Sequence, residues 1–184
     1  MKKIFLVIFL LFVLPNLSLA DNWEPILKIG PILEKDIDLL SKRGSELSDQ
    51  ININLAKKFE ILKLLFSPSI SNLERGKLEL EWQKLNNEWE ILNYEDTFLT
   101  NLKLLLMIAN ENVSVIEFLL FYNKNLKGSK IIKDRIKFII KGTLTQIERD
   151  LERRERFKLK SSYETIEVLN NIKSDLEKIL EILK

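Results

Sequence analysis

Beyond residue 31 the chain contains one proline, Pro68, and its apolar residues recur at every third or fourth position on both sides of it. Proline is the residue a helix interior tolerates least, and a three-four spacing lays apolar side chains along one helical face. Strand-type alternation persists nowhere in the sequence. The pattern therefore predicts an all-α fold. A first helix is expected over 32–66, with Pro31 suited to a first helical position and Pro68 disfavouring helix at Ser67. Its stripe runs through Leu33, Ile37, Leu40, Leu47, Ile51, Leu55, Phe59, Leu62 and Phe66, with a skip over Gly44.

Ser71 and Glu74 have the spacing of a capping box, in which a hydroxyl and a carboxylate satisfy the free backbone donors of a helix start. The stripe that follows is Leu78, Trp82, Leu85, Trp89, Leu92 and Leu99, with Asp96 in the intervening slot and a kink expected at 94–97. Residues 102–121 are apolar on nearly all sides. A membrane span is excluded because Asn110, Glu111 and Asn112 fall at the midpoint, where a charge costs about 3 kcal/mol. The segment is instead expected to be the central helix, enclosed by the others, with a break or kink at 110–112.

Asn125 to Ser129, with Gly128, reads as a helix stop and restart. The next stripe is Ile132, Ile136, Ile139, Ile140, Leu144, Ile147 and Leu151, with Gly142 marking a close helix contact. Mixed charges over 148–160 predict a solvated, ion-paired face. Ser161 and Glu164 repeat the capping spacing before a last stripe of Thr165, Val168, Ile172, Leu176, Ile179 and Leu183, which must dock on the chain's own bundle or on a second copy. A first helix of roughly 50 Å favours an elongated antiparallel helical bundle with coiled-coil-like seams. No internal repeat of solenoid length is present.

The first 20 residues read as a signal peptide. Lys2 and Lys3 precede an apolar run over 4–14, Pro15 ends it, and Ser18 and Ala20 occupy the positions a signal peptidase reads. A retained membrane anchor is the alternative, but the run falls short of the roughly 20 residues a span needs. The expected organisation is 1–20 signal peptide, 21–31 extended segment and 32–184 a single helical bundle domain. Richness in Lys, Ile, Asn and Leu points to a bacterial chain.

Composition narrows the chemistry. Cysteine is absent, so export brings no disulfides, and histidine is absent, which removes the commonest general base and ordinary zinc ligation. The five glycines stand alone and form no phosphate loop. Without Lys2 and Lys3 the basic and acidic residues balance, so no basic excess is left for nucleic acid. The expectation is a non-enzymatic, exported structural or protein-interaction component of the bacterial envelope, with no cofactor and no metal. The alternative is a periplasmic chaperone-like or surface adhesive protein that binds other polypeptides. Its partner is a protein or a second copy, with no nucleic acid, and membrane contact arises only if the signal segment is retained. The periplasm is the expected destination, with secretion, the cell surface and the inner membrane as the others. The candidate interaction face is Trp82, Leu85, Trp89 and Leu92 together with Ile172, Leu176, Ile179 and Leu183.

Overall fold

Helix accounts for nearly all of what the structure, a computed structural model, describes: residues 24–122, 130–157 and 163–184. The signal segment, the stop at 125–129 and Ser161 lie outside the described residues. A short α1 (Glu24–Leu27) leads into α2 (Ile29–Leu65), followed by α3 (Asn72–Tyr122), α4 (Lys130–Phe157) and α5 (Tyr163–Ile182). No strand occurs among the described residues. Helix begins earlier than expected, since residues 24–31, read as part of an extended segment, are almost entirely helical. Pro25 and Pro31 sit in first turns, where backbone donors have no helical acceptor to lose, and Ile26 and Ile29 draw the segment into the core.

The turn between α2 and α3 forms where Pro68 requires it. The capping box is present as read, with the Ser71 N–H donating to Glu74 Oε2 at 3.1 Å and the Glu74 N–H donating to Ser71 Oγ at 3.3 Å. No break occurs at 110–112, and α3 is continuous from Asn72 to Tyr122. Thr97 Oγ1 and Asn112 Nδ2 donate to carbonyls of their own helix, at Asn93 and Ile108, so these polar side chains are satisfied without breaking the backbone ladder.

The four long helices pack as a ring: α2 against α3, α3 against α4, α4 against α5, and α5 back against α2. Ring neighbours run antiparallel. Gly30 lies by Val113, Gly44 by Asp96 and Lys58 by Asn86, so α3 descends as α2 rises. Lys35 meets Asp175 while Arg43 meets Thr165, which gives α5 the same sense as α3. On α4, Arg154 shares Glu95 with Thr165 while Glu148 reaches Lys173, so α4 runs with α2. The core takes Leu33, Leu40 and Leu47 from α2, Leu102, Leu106 and Val113 from α3, Ile136, Ile140 and Ile147 from α4, and Leu169, Ile172 and Leu176 from α5.

Two expectations about packing are corrected. The segment 102–121 is one corner of the ring and is not enclosed: Leu104, Met107 and Ile108 are 52%, 41% and 42% exposed, while Leu102, Leu106 and Ala109 face inward. A helix at the corner of a four-helix layer touches two neighbours and keeps an outer face whatever residues stand there. Gly142 is exposed and has open space where a Cβ would go, so it marks no close contact.

The helices differ greatly in length. At about 1.5 Å per residue, α2 and α3 span roughly 55 and 76 Å, while α4 and α5 span roughly 42 and 30 Å. Among the described residues the short pair covers the long pair only up to about Leu47 and Leu92, near where Arg43 meets Thr165 and Glu95 meets Arg154. Residues 48–91 therefore leave the four-helix body as a two-helix arm.

Candidate protein-interaction site: the arm and the charge cluster at its root

Where the arm leaves the body, all four long helices contribute to one polar cluster. Arg154 lies at its centre, 5% exposed, donating through Nη1 to Glu95 Oε1 at 2.8 Å and through Nε to Asp150. Thr165 donates to the other Glu95 oxygen at 2.9 Å and accepts from Arg43 Nε at 3.1 Å. Arg43 also pairs with Glu46 at 2.9 Å, and Tyr94 Oη donates to Asp150 at 2.7 Å. Burial works against the Arg154 charge, but Asp150 first and then Glu95 outweigh it and raise its pKa. Burial and the bond to Asp150 raise that of Tyr94. A buried charge is tolerated when most of its donors are paired, and here Nε and Nη1 are while the buried Nη2 has no partner among the described residues, so loss of one partner strands the others.

The cluster corrects the expectation for 148–160. Most of its described residues are solvated, but Asp150 and Arg154, four residues apart, face inward. Alternating charge does not distinguish a residue whose partner stands on another helix from one whose partner is water.

A further buried carboxyl lies deeper in the body. Asp36 on α2 is fully buried and neither of its oxygens has a hydrogen-bond partner among the described residues. Burial, and next the nearby charge of Asp175, push its pKa up to about 7. Burial also opposes the Asp175 charge, but hydrogen bonds from Lys178 and Lys35 prevail and hold its pKa below the usual value. The two carboxyls thus differ in protonation around neutrality.

The arm's own seam is thin. Its buried residues are Asn54 and Ile61 on α2 and Leu85 on α3. Trp82 and Trp89 are half-buried along this seam, with the Lys58 ammonium over both rings at 5.1 and 5.2 Å from their centroids. Lys58 donates to Asn86 Oδ1 at 2.8 Å, and both indole N–H groups are enclosed without an acceptor among the described residues. Outside the seam stand Ile53 at 57%, Phe59 at 64%, Leu64 at 53% and Phe66 at 84% on the α2 side, with Leu73 at 73% and Leu80 at 61% on α3. A groove at the tip is lined in part by Leu64, Ile70 and Leu78.

The structure separates the two halves of the candidate face. Ile172, Leu176, Ile179 and Leu183 are buried against the chain's own bundle, so the C-terminal seam is internal and offers no free face. Trp82, Leu85 and Trp89 belong to the arm, where they face α2, and Leu92 packs half-buried at the edge of the core. The bare apolar residues, Ile53, Phe59, Leu64, Phe66, Leu73 and Leu80, lie outside that stripe. Leu73 and Leu80, a heptad apart and off the Leu78/Trp82 line, were the available signal for a second face.

Among the described residues no helix is long and apolar enough to cross a membrane, and no group of acidic side chains is placed to hold a metal ion. Fold and site define an all-helical protein of four packed helices with a projecting two-helix arm. No protein-family model, curated protein or solved structure shows significant similarity to the chain.

Proposed function

We propose that this protein is an exported, non-catalytic component of the bacterial envelope that works by protein contact, with the arm as its docking element. The observation that carries the reading is the arm itself, a pair of helices that holds Ile53, Leu64, Leu73 and Leu80 in water on a thin seam. Monomeric soluble proteins rarely keep such residues together without a use for them. The N-terminal run with its small-residue cleavage pattern supports export, and the lack of His and Cys in the sequence favours contact over turnover. The elongated antiparallel body, with apolar residues at threes and fours along each seam, would supply a rigid mount.

Photo-crosslinkers placed at Leu80 and, for comparison, at Lys141 on the body, followed by cell fractionation, test the reading. It expects an envelope-located protein with adducts from Leu80 alone. Recovery from cytosol with the leader intact, or no adduct at either position, would end it. A chaperone-like role is separated by suppression of aggregation of an unrelated unfolded protein, which a structural component would not produce.

A further inference from the structure

Charge in this chain is nearly balanced overall but not on α4. Residues 130–147, the first five turns of that helix, hold five basic residues and one acidic residue, Asp134. The first turn has no acidic residue, although the free donors of a helix start favour one there. Arg135 and Lys141 are exposed, Lys133 and Lys137 are half-buried, and none of the four forms an ion pair among the described residues. Neither helix stability nor internal pairing accounts for this charge.

The same stretch carries two large apolar side chains in water. Ile131 and Phe138 are 72% and 79% exposed and stand a heptad apart on one face of α4. Arg135 falls between them and Lys141 about one turn beyond Phe138. On α3 the exposed Ile108 lies two heptads from Tyr94, which bonds to Asp150 of α4. The same count back from Asp150 along antiparallel α4 reaches Ile136, so Ile108 stands level with the Ile131/Phe138 pair.

We propose that this outer face of α4 is a docking site for an anionic lipid surface. Bare aromatic and aliphatic side chains among uncompensated Lys and Arg are what an interfacial site presents, the apolar groups entering between headgroups while the cations meet their phosphates. A soluble polyanion such as nucleic acid would use the cations and leave Ile131 and Phe138 without a role. Membrane contact would then need no retained leader. The inference goes beyond the arm's role and is tested apart from it, since a lipid contact gives no polypeptide adduct at Lys141.

The chain from Asp21 onward, which contains every described residue, should pellet with vesicles of phosphatidylglycerol and phosphatidylethanolamine and stay in solution beside phosphatidylcholine vesicles. Phe138→Ser, and separately Arg135→Gln with Lys141→Gln, should each weaken binding roughly tenfold with helix content unchanged, all three side chains being exposed. Lys57→Gln with Lys77→Gln on the arm removes the same charge and should leave binding as it was. The absence of native cysteine lets Phe138→Cys carry an environment-sensitive dye, whose emission should shift to the blue on the anionic vesicles. Failure to pellet with those vesicles, or equal binding to phosphatidylcholine, overturns the proposal. So does an equal loss from the arm pair, which would make binding a matter of net charge. Competition by soluble polyglutamate, with Phe138→Ser silent, would assign the face to a polyanion and overturn it as well.

Discussion

Body and arm are built from the same two helices, α2 and α3, yet their apolar residues meet different conditions. In the body a leucine of α2 such as Leu40 is enclosed by the ring and reaches 2% exposure, whereas Leu64 farther along the same helix remains 53% exposed. Composition does not separate them. What differs is the number of helices at that level, because a pair can close one seam between its members and a ring of four closes the interior of all. The arm therefore has the local features of a core and lacks the neighbours that would make it one.

The contrast is open to measurement. The largest effect is expected at the root, where Arg154→Ala should cost about 3–5 kcal/mol in chemical denaturation, since Glu95 and Asp150 would be left buried without their cation. Joint replacement of Arg154, Glu95 and Asp150 by apolar residues should recover much of that. If the single change is silent, the cluster is not the joint between body and arm.

Asp36 should give the body a pH dependence. Its pKa is about 7 folded against 3.8 for an aspartate in water, so the folded state holds a proton that the unfolded chain has released between those values. Stability should be greatest, as far as this group is concerned, below about pH 4 and should fall as pH rises towards 7, with a total on the order of 4 kcal/mol. Asp36→Asn should abolish this slope and stabilise the protein at pH 8. A slope unchanged in the variant would place the titration elsewhere.

Leu106→Ala in the body should cost about 2–5 kcal/mol. In the arm, Lys58→Ala should cost about 0.5–1 kcal/mol through its contact with the two indoles, and should speed amide exchange at 48–91 while leaving the body's exchange unchanged. Leu80→Ser, measured in dilute protein, should stay within about 0.5 kcal/mol of wild type. If Leu80→Ser and Leu106→Ala cost the same, the division into body and arm fails.

Much of this architecture was legible beforehand. The helical class, the turn at Pro68 and the Ser71–Glu74 cap are local chemistry, and the inward stripes of α4 and α5 matched their three-four spacing. The site was less so. Trp82 and Trp89 stand out by type, but Lys58 occupies their faces, and the bare surface belongs to Ile53, Phe59, Leu64, Phe66, Leu73 and Leu80. Ile172 and Leu176 have the same spacing as a free seam, because periodicity identifies a face and leaves unsaid what covers it. Two polar residues, Asp150 and Arg154, were hidden in a charged run for the same reason.

Helix formation, helix ends and the existence of an apolar face depend on neighbours within a few positions, so the order of residues was enough to set them. Which faces meet, that α4 and α5 stop short of α2 and α3, and that an arginine is buried where they stop were decided by packing between segments far apart in the chain. The physical reason is range. Hydrogen-bond ladders and caps close within one turn, whereas burial is a property of every helix present at the same level, and among the described residues there are two at the level of the arm.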